Sequence, residues 1–430
     1  MERGSWMFRV FVLVILSGCH CNSSQSGQDR HLANQSASPI SFSEFAIAQT
    51  PTPQVPEPRA FAWKLFGQFM ANGQSPWGDP KNWRTKKDLG LNPGVDQCAH
   101  DVSPPIQATF DDLFLHGLAR STQDGVGQRS PEAHAECDPG QPCAVAAVLF
   151  NTIAANHITS QCLNSPSVLL GKVVADPNLN RRSFPPFPDG SIIVKTLWEV
   201  LIPAQPAVFV FDPSNPPQPS NGGEIGVPSA WAGSAVRVNM RVPARCDPES
   251  YPLQTVLPMS CFRSVLVTPA NASLIDHNAL PNSQSIYPGN RLVLMGVHII
   301  AKYQGHWLWS TLWWTNRPSF NSNGYPDLTQ GRPPSLTARW SHYVLDATWT
   351  DVQHAHTNPY IEGPEENSMA LNCIRCHYYA AFPVRDPREL QIAGGHLKDG
   401  LDQQDTDAYF SHAIQTDMLW TIVSKYFQLR

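Results

Sequence analysis

The chain has 430 residues, a formal net charge of −5 and only 15% charged residues, with no run of Lys or Arg. A nucleic-acid partner needs a basic patch, so that class is excluded. The 40 Pro and 27 Gly are too many for a helical bundle and, with 13 Trp and 19 Phe, point to strands joined by irregular loops.

The N-terminus has the layout of a secretion signal. Met1 to Arg9 carries Arg3 and Arg9, Val10 to Leu16 is a short apolar run, and Leu16-Ser17-Gly18-Cys19 follows at once. The run is too short to span a bilayer. It resembles a bacterial lipoprotein signal, which implies removal of residues 1–18 and lipidation of Cys19. Several acyl chains on one residue anchor stably where a single chain does not. His20 rather than Asp follows Cys19, which by the usual sorting pattern implies the outer membrane, with the body facing the periplasm. Residues 19–58 are rich in Ser, Gln and Pro and read as a disordered tether.

A β-rich body with N-terminal helices is expected over 59–345. Ala62, Leu65, Phe66, Phe69 and Met70 recur at helical spacing, a loop of mixed charge follows from Asp79 to Asp96, and Phe110 to Ala119 and Ala144 to Ile158 read as two further helices. His116 and His157 fall on these helices as helix-end or surface histidines. From Gly190 the period changes to that of strands: Ser191 to Ile202, Ala207 to Phe211, an alternating run around Val236 to Val242, and Ser264 to Val267. Arg291 to Tyr303 and His306 to Trp314 read as a long hairpin turning at Gln304-Gly305. Trp307, Trp309 and Trp313 share one face of its second strand, and His306, Leu308, Leu312 and Trp314 the other; apolar residues on both faces place it centrally in a sheet.

Residues 346–430 contain Cys373-Ile374-Arg375-Cys376-His377. In this order two thiols can add to the vinyl groups of a haem and the adjacent imidazole can ligate its iron, the attachment pattern of a c-type haem. Arg375 reads as solvent-facing. His377 is the expected proximal ligand, His298 the leading candidate for the distal position and Met418 the second. His298 lies mid-strand among apolar residues, where a neutral imidazole needs a partner for each nitrogen. Met418 falls in the column Phe410, Ile414, Met418, Ile422 of an expected terminal helix, where a core methionine is the competing reading. His354 and His356 lack a third ligand, and His396 and His412 stay open as ligands.

Besides Cys19, Cys373 and Cys376 the chain has Cys21 in the tether and six cysteines in the body: Cys98, Cys137, Cys143, Cys162, Cys246 and Cys261. An even number in an oxidising compartment reads as disulfides. Short spacings favour Cys137 with Cys143 and Cys246 with Cys261, leaving Cys98 with Cys162. Zinc is the competing use, but none of the six forms a C-x-x-C pair.

Gly296-Val297-His298-Ile299-Ile300-Ala301-Lys302, followed by Trp307-Leu308-Trp309-Ser310-Thr311-Leu312-Trp313, resembles a family of bacterial envelope proteins described as cytochrome c family proteins. Similar features of that family are an earlier strand like Pro188-Asp189-Gly190-Ser191-Ile192-Ile193-Val194-Lys195, an aromatic helix like Phe61-Ala62-Trp63-Lys64-Leu65-Phe66, and a single C-x-x-C-H preceded by a motif that here reads Glu366-Asn367-Ser368-Met369. The resemblance runs from Arg59 to the C-terminus and implies covalent attachment of one haem c and this architecture, but no particular reaction. The proline-rich stretch between Pro203 and Pro228 departs from it.

The expectation is a mainly β protein with some α structure: a twisted β-sandwich or half-barrel with packed helices and a C-terminal haem-binding segment. Its leading function is electron transfer by a membrane-tethered monohaem cytochrome, with a redox protein or small electron carrier as partner. A haem enzyme with an open distal site, peroxidase- or oxidase-like, is the second reading. A disulfide-bonded, ligand-binding lipoprotein without haem is the third. G-x-S-x-G, phosphate-loop, Rossmann and H-E-x-x-H motifs are absent from the sequence.

Overall fold

The computed structural model describes residues 56–71, 78–91, 98, 109–120, 144–174, 184–204, 206–211, 233–240, 246, 256–276, 286–318, 328–349, 358–361, 377, 380–382, 413–417 and 419. Helix α1 (Pro58–Phe66) starts where the Glu57 carboxylate accepts the N–H groups of Arg59 and Ala60, at 3.1 and 2.6 Å. Pro58 sits in the first turn, where a missing N–H costs nothing. A π turn (Gly67–Ala71) continues it, and Phe61, Trp63, Leu65, Phe66 and Phe69 are all buried.

The stretch read as a loop from Asp79 to Asp96 holds a short strand, β1 (Trp83–Thr85), too brief for periodicity to reveal. Helix α2 (Phe110–His116) opens with a reciprocal capping box between Thr109 and Asp112 and stops at His116 instead of running to Ala119. Strand β2 (Leu118–Arg120) follows.

The largest correction concerns Ala144 to Ile158, read as one helix. The structure has strand β3 (Ala144–Asn151), then helix α3 (Thr152–Ser160). Alanines favour a helix in isolation, but β3 pairs with β1 and β2 on one edge and with β4 (Ile192–Leu201) on the other, so tertiary packing overrides propensity. Asn151 marks the change. Its Oδ1 accepts the N–H groups of Ala154 and Ile192, each at 3.0 Å, and its Nδ2 donates to the Gly190 carbonyl at 2.7 Å. One buried amide thus caps α3 and fixes the start of β4.

Helix α4 (Pro166–Val174) precedes β4. The later strands follow the sequence reading closely: β5 (Ala207–Phe211), β6 (Gly233–Asn239), β7 (Val256–Pro258), β8 (Ser264–Leu266), β9 (Arg291–Tyr303), β10 (His306–Trp314) and β11 (Tyr343–Thr348). Of these, β7 and β11 were not expected. Gln304 and Gly305 both have positive φ, 49° and 77°, as a two-residue type I′ hairpin turn requires.

The protein is mainly β with few helices. Among the described residues its main sheet has eight strands, all antiparallel, in the order β1-β3-β4-β9-β10-β11, with β2 beside β3 and β8 beside β9. Strands β5, β6 and β7 make a separate small sheet, and β12 (Ala381–Phe382) pairs with β13 (Ile414–Gln415). Ile414 therefore belongs to a strand, not to the expected terminal helix.

The hairpin β9–β10 has two buried faces. On the front face the register aligns Trp309, Ile300, Ile193 and Phe150 in one row across four strands, and Thr311, His298, Lys195 and Val148 in the next. This side packs against α3, Phe184, Phe187 and β12–β13. The back face carries Leu308, Ser310, Leu312 and Trp314 and is covered by α1, whose Phe61 and Phe66 meet Tyr303 and Tyr343, while Phe114 of α2 meets Trp198. Among the described residues no helix is long and apolar enough to cross a membrane. Two expected disulfides are present, Cys98–Cys162 and Cys246–Cys261; Cys137 and Cys143 lie outside the described residues.

Candidate functional site

Alternation along a strand sends every second residue to the same side. On β9 this brings Gly296, His298, Ile300 and Lys302 to the front face, opposite Trp313, Thr311, Trp309 and Trp307 of β10. Gly296, His298 and Lys302 of the G-x-H-I-x-x-K stretch therefore line one surface, while Ile299 points to the other. Gly296 is needed for close approach: a Cβ there would stand 3.0 Å from Asn358 Oδ1 and 3.1 Å from Ile361. Asn358 is fully buried and donates to the Thr311 hydroxyl at 3.0 Å and the Leu312 carbonyl at 2.7 Å, which holds residues 358–361 on the sheet.

The C-terminal part of the chain returns to this face. His377 packs on Trp309, with ring centroids 4.6 Å apart and planes at 56°. Its carbonyl accepts the N–H of Ala380 at 3.0 Å, immediately before β12. Thr416 ties the two short strands together, its N–H at 2.9 Å and hydroxyl at 3.0 Å both donating to the Ala380 carbonyl. Asp417 then closes a clip: its carboxylate accepts the Phe187 N–H at 2.8 Å and the Lys302 ammonium at 3.3 Å. Lys302 is only 5% exposed, and its Nζ also lies 4.8 Å from the centre of the Trp307 ring. A charge so deeply buried persists only because a carboxylate and an aromatic face compensate it.

The polar groups of this face are incompletely used. The Nε1 atoms of Trp307 and Trp309 are buried and have no hydrogen-bond acceptor among the described residues. Buried indole N–H groups are normally satisfied, so two on adjacent positions of one face call for a ligand or for chain that covers them. Two indole donors, a buried ammonium and an imidazole thus gather on the same face, a donor set suited to carboxylate groups. Glu199 of β4 is a further buried polar group. It accepts the Phe209 N–H at 2.6 Å, yet burial still pushes its carboxyl up to about 8.

The structure places His377 and His298 on the same side of the sheet as Trp309; His298 is half-buried, with its Nε2 enclosed. Cys373, Cys376, Met418, Cys19, His354, His356, His396 and His412 lie outside the described residues; of the residues that flank Met418, Asp417 forms the clip and Leu419 is buried in the front-face apolar cluster. His157 lies in the last turn of α3, a helix-end residue as expected, but it is buried rather than on the surface. Its Nε2 lies 2.9 Å from the Pro185 carbonyl and its ring packs on Phe187, so it keeps a structural role. His116 pairs with Asp88 at 3.0 Å.

Sequence reasoning missed the Lys302–Asp417 pair, whose partners are 115 residues apart. It also missed a second constellation behind the sheet. Cys246, Cys261 and His342 are all buried, with their Sγ and imidazole nitrogen atoms within 4.8 Å of one another. Cys246 Sγ lies 2.7 Å from His342 Nε2. Only the spacing of the two cysteines could be read beforehand. Comparison of the chain with models of known families, with curated proteins and with solved structures finds no match.

Proposed function

We propose that this chain is a lipid-anchored monohaem c-type cytochrome of the bacterial cell envelope, tethered through Cys19 to the outer membrane and acting in electron transfer. The thiols of Cys373 and Cys376 would add across the two vinyl groups of haem, a step without a leaving group, and His377 would ligate the iron. The observation that carries this reading is the packing of His377 on Trp309, on the face where two buried indole N–H groups have no acceptor among the described residues. A haem bound there supplies a one-electron couple, so a redox protein or small carrier must exchange electrons with it.

The chain's own residues account for the rest. Trp307 and Trp309 would donate to the cofactor's carboxylates, and the Lys302–Asp417 clip would hold the C-terminal segment against the sheet. Aromatic walls exclude water and thereby set the potential. His298 would take the distal position, with Met418 as the second candidate. Because α1 and α2 cover one side of the main sheet and the haem-binding segment would cover the other, we take the body as an open half-barrel rather than two facing sheets.

The visible spectrum tests the function. A low-spin haem unchanged by cyanide or carbon monoxide, and converted to high spin in His298→Ala, is the expected result. A high-spin haem that binds these ligands in the wild type would move the reading to a peroxidase- or oxidase-like enzyme, and a low-spin His298→Ala would remove His298 as the ligand.

A further inference from the structure

Behind the sheet, on the side opposite Trp309, Trp314 stacks on both His342 and Phe262, with ring centroids 5.2 and 4.6 Å apart. Its indole N–H donates to the Cys261 carbonyl at 3.0 Å. This fixes His342 and Cys261 relative to each other. His342 Nδ1 lies 3.0 Å from the Thr315 carbonyl, which can only accept, so Nδ1 carries the proton and Nε2 presents its lone pair. That lone pair faces Cys246 Sγ at 2.7 Å.

We infer that Cys246, Cys261 and His342 constitute a redox-gated zinc site, closed as a disulfide and opened as a buried Cys2His ligand set. Reduction of the Cys246–Cys261 bond by a dithiol takes two electrons and two protons and leaves two thiols; the dithiol becomes a disulfide. Binding Zn²⁺ then releases both thiol protons.

Three features support the assignment. In tetrahedral zinc sites sulfur and imidazole ligands stand about 3.5–3.8 Å apart; here the two sulfurs are bonded and Cys246 Sγ is 2.7 Å from His342 Nε2, so once the disulfide opens three ligand atoms that all lie within 4.8 Å need only spread to that spacing. A ring N–H given to a backbone carbonyl is the arrangement that orients a metal-binding imidazole, and Thr315 supplies it. Exposure is 5% for Cys246 and 0% for Cys261 and His342, and a dication with two thiolates is neutral overall, the charge state such a site tolerates.

The test uses the full chain, with Cys373→Ser and Cys376→Ser introduced so that no other C-x-x-C competes. After anaerobic reduction with a phosphine and its removal, cobalt(II) is titrated in, followed by zinc. The expected result is one cobalt per chain, with a thiolate-to-cobalt charge-transfer band that zinc abolishes. The oxidised chain should bind none, Cys98→Ala/Cys162→Ala should bind as the parent does, and His342→Gln should weaken binding at least tenfold. A band unchanged in His342→Gln, or none in the reduced parent, overturns the inference. If His342→Gln fails to fold, X-ray absorption on the zinc-loaded parent decides. A shell of two sulfurs and at least one imidazole nitrogen supports the site, and any shell without two sulfurs overturns it.

Discussion

Trp309 and Trp314 leave the same strand on opposite sides, and the two indoles meet different fates. Behind the sheet Trp314 donates to the Cys261 carbonyl, and Trp198 to the Thr196 hydroxyl at 2.8 Å. In front, Trp307 and Trp309 are equally buried, yet their N–H groups have no acceptor among the described residues. Trp63, on α1, shares that condition; the Arg332 guanidinium lies over its ring face, 5.1 Å away, and does not accept the indole N–H. Apolar burial alone does not distinguish the faces, because both are closed to water. Polar satisfaction of the β10 indoles does: Trp314 is paired behind the sheet, while Trp307 and Trp309 in front keep donors in reserve beside a buried lysine and His377.

The largest expected effect concerns the unfinished polar groups of β4. The Glu199 carboxyl titrates near 8 when folded and near 4.5 when unfolded. Between those values the folded chain holds a proton that the unfolded chain has lost. Stability is therefore fully present below the lower value and falls as pH rises, by about 1.4 kcal/mol per pH unit, until the upper value is passed. Denaturant titrations at pH 5 and pH 8 should show that loss, and Glu199→Gln, which can still accept the Phe209 N–H, should flatten it. An equal pH dependence in the variant would assign the effect elsewhere.

Next in size is the clip. Lys302→Met removes the ammonium from a buried pair and leaves Asp417 with the Phe187 N–H. A cost of about 2 kcal/mol is expected, below that of a fully buried pair because Asp417 is partly exposed. Hydrogen exchange should rise at Ala380 to Phe382 and Ala413 to Asp417 before it rises in β9; uniform exchange would show that the clip does not fasten this segment.

The smallest effects are the sharpest comparison of the faces. Trp314→Phe keeps most of the ring but strands the Cys261 carbonyl, at about 1–2 kcal/mol. Trp309→Phe in the haem-free chain loses no hydrogen bond among the described residues and should cost under about 1 kcal/mol. In the haem-loaded protein the order of sensitivity should reverse, with the potential and Soret position moving in Trp309→Phe and not in Trp314→Phe. Equal behaviour of the two variants in both states would erase the distinction between the faces.

The fold was legible where local pattern and tertiary context agree. The β9–β10 hairpin was read residue for residue because both strands are apolar on both faces and Gln304-Gly305 fits a tight turn. Strand β3 was misread because Ala144, Ala146 and Ala147 carry no β preference, and pairing with β4 was invisible from within the segment. The Cys246–Cys261 pairing was readable from its short separation of 15 residues. His342 was not: it is 96 residues from Cys246, and only the sheet brings them together. The same holds for Asp417, whose neighbour in sequence, Met418, attracted attention as a ligand while the carboxylate beside it fastens the segment to Lys302.

The central claim is that Cys373, Cys376 and His377 carry a haem against the front face. Its most direct measurement is the intact mass of the denatured chain after expression with the haem-attachment machinery. The wild type should be heavier by one haem, and Cys373→Ser/Cys376→Ser should show no such increment. A wild-type chain without the added mass, with Cys373 and Cys376 joined as a disulfide, would contradict the account.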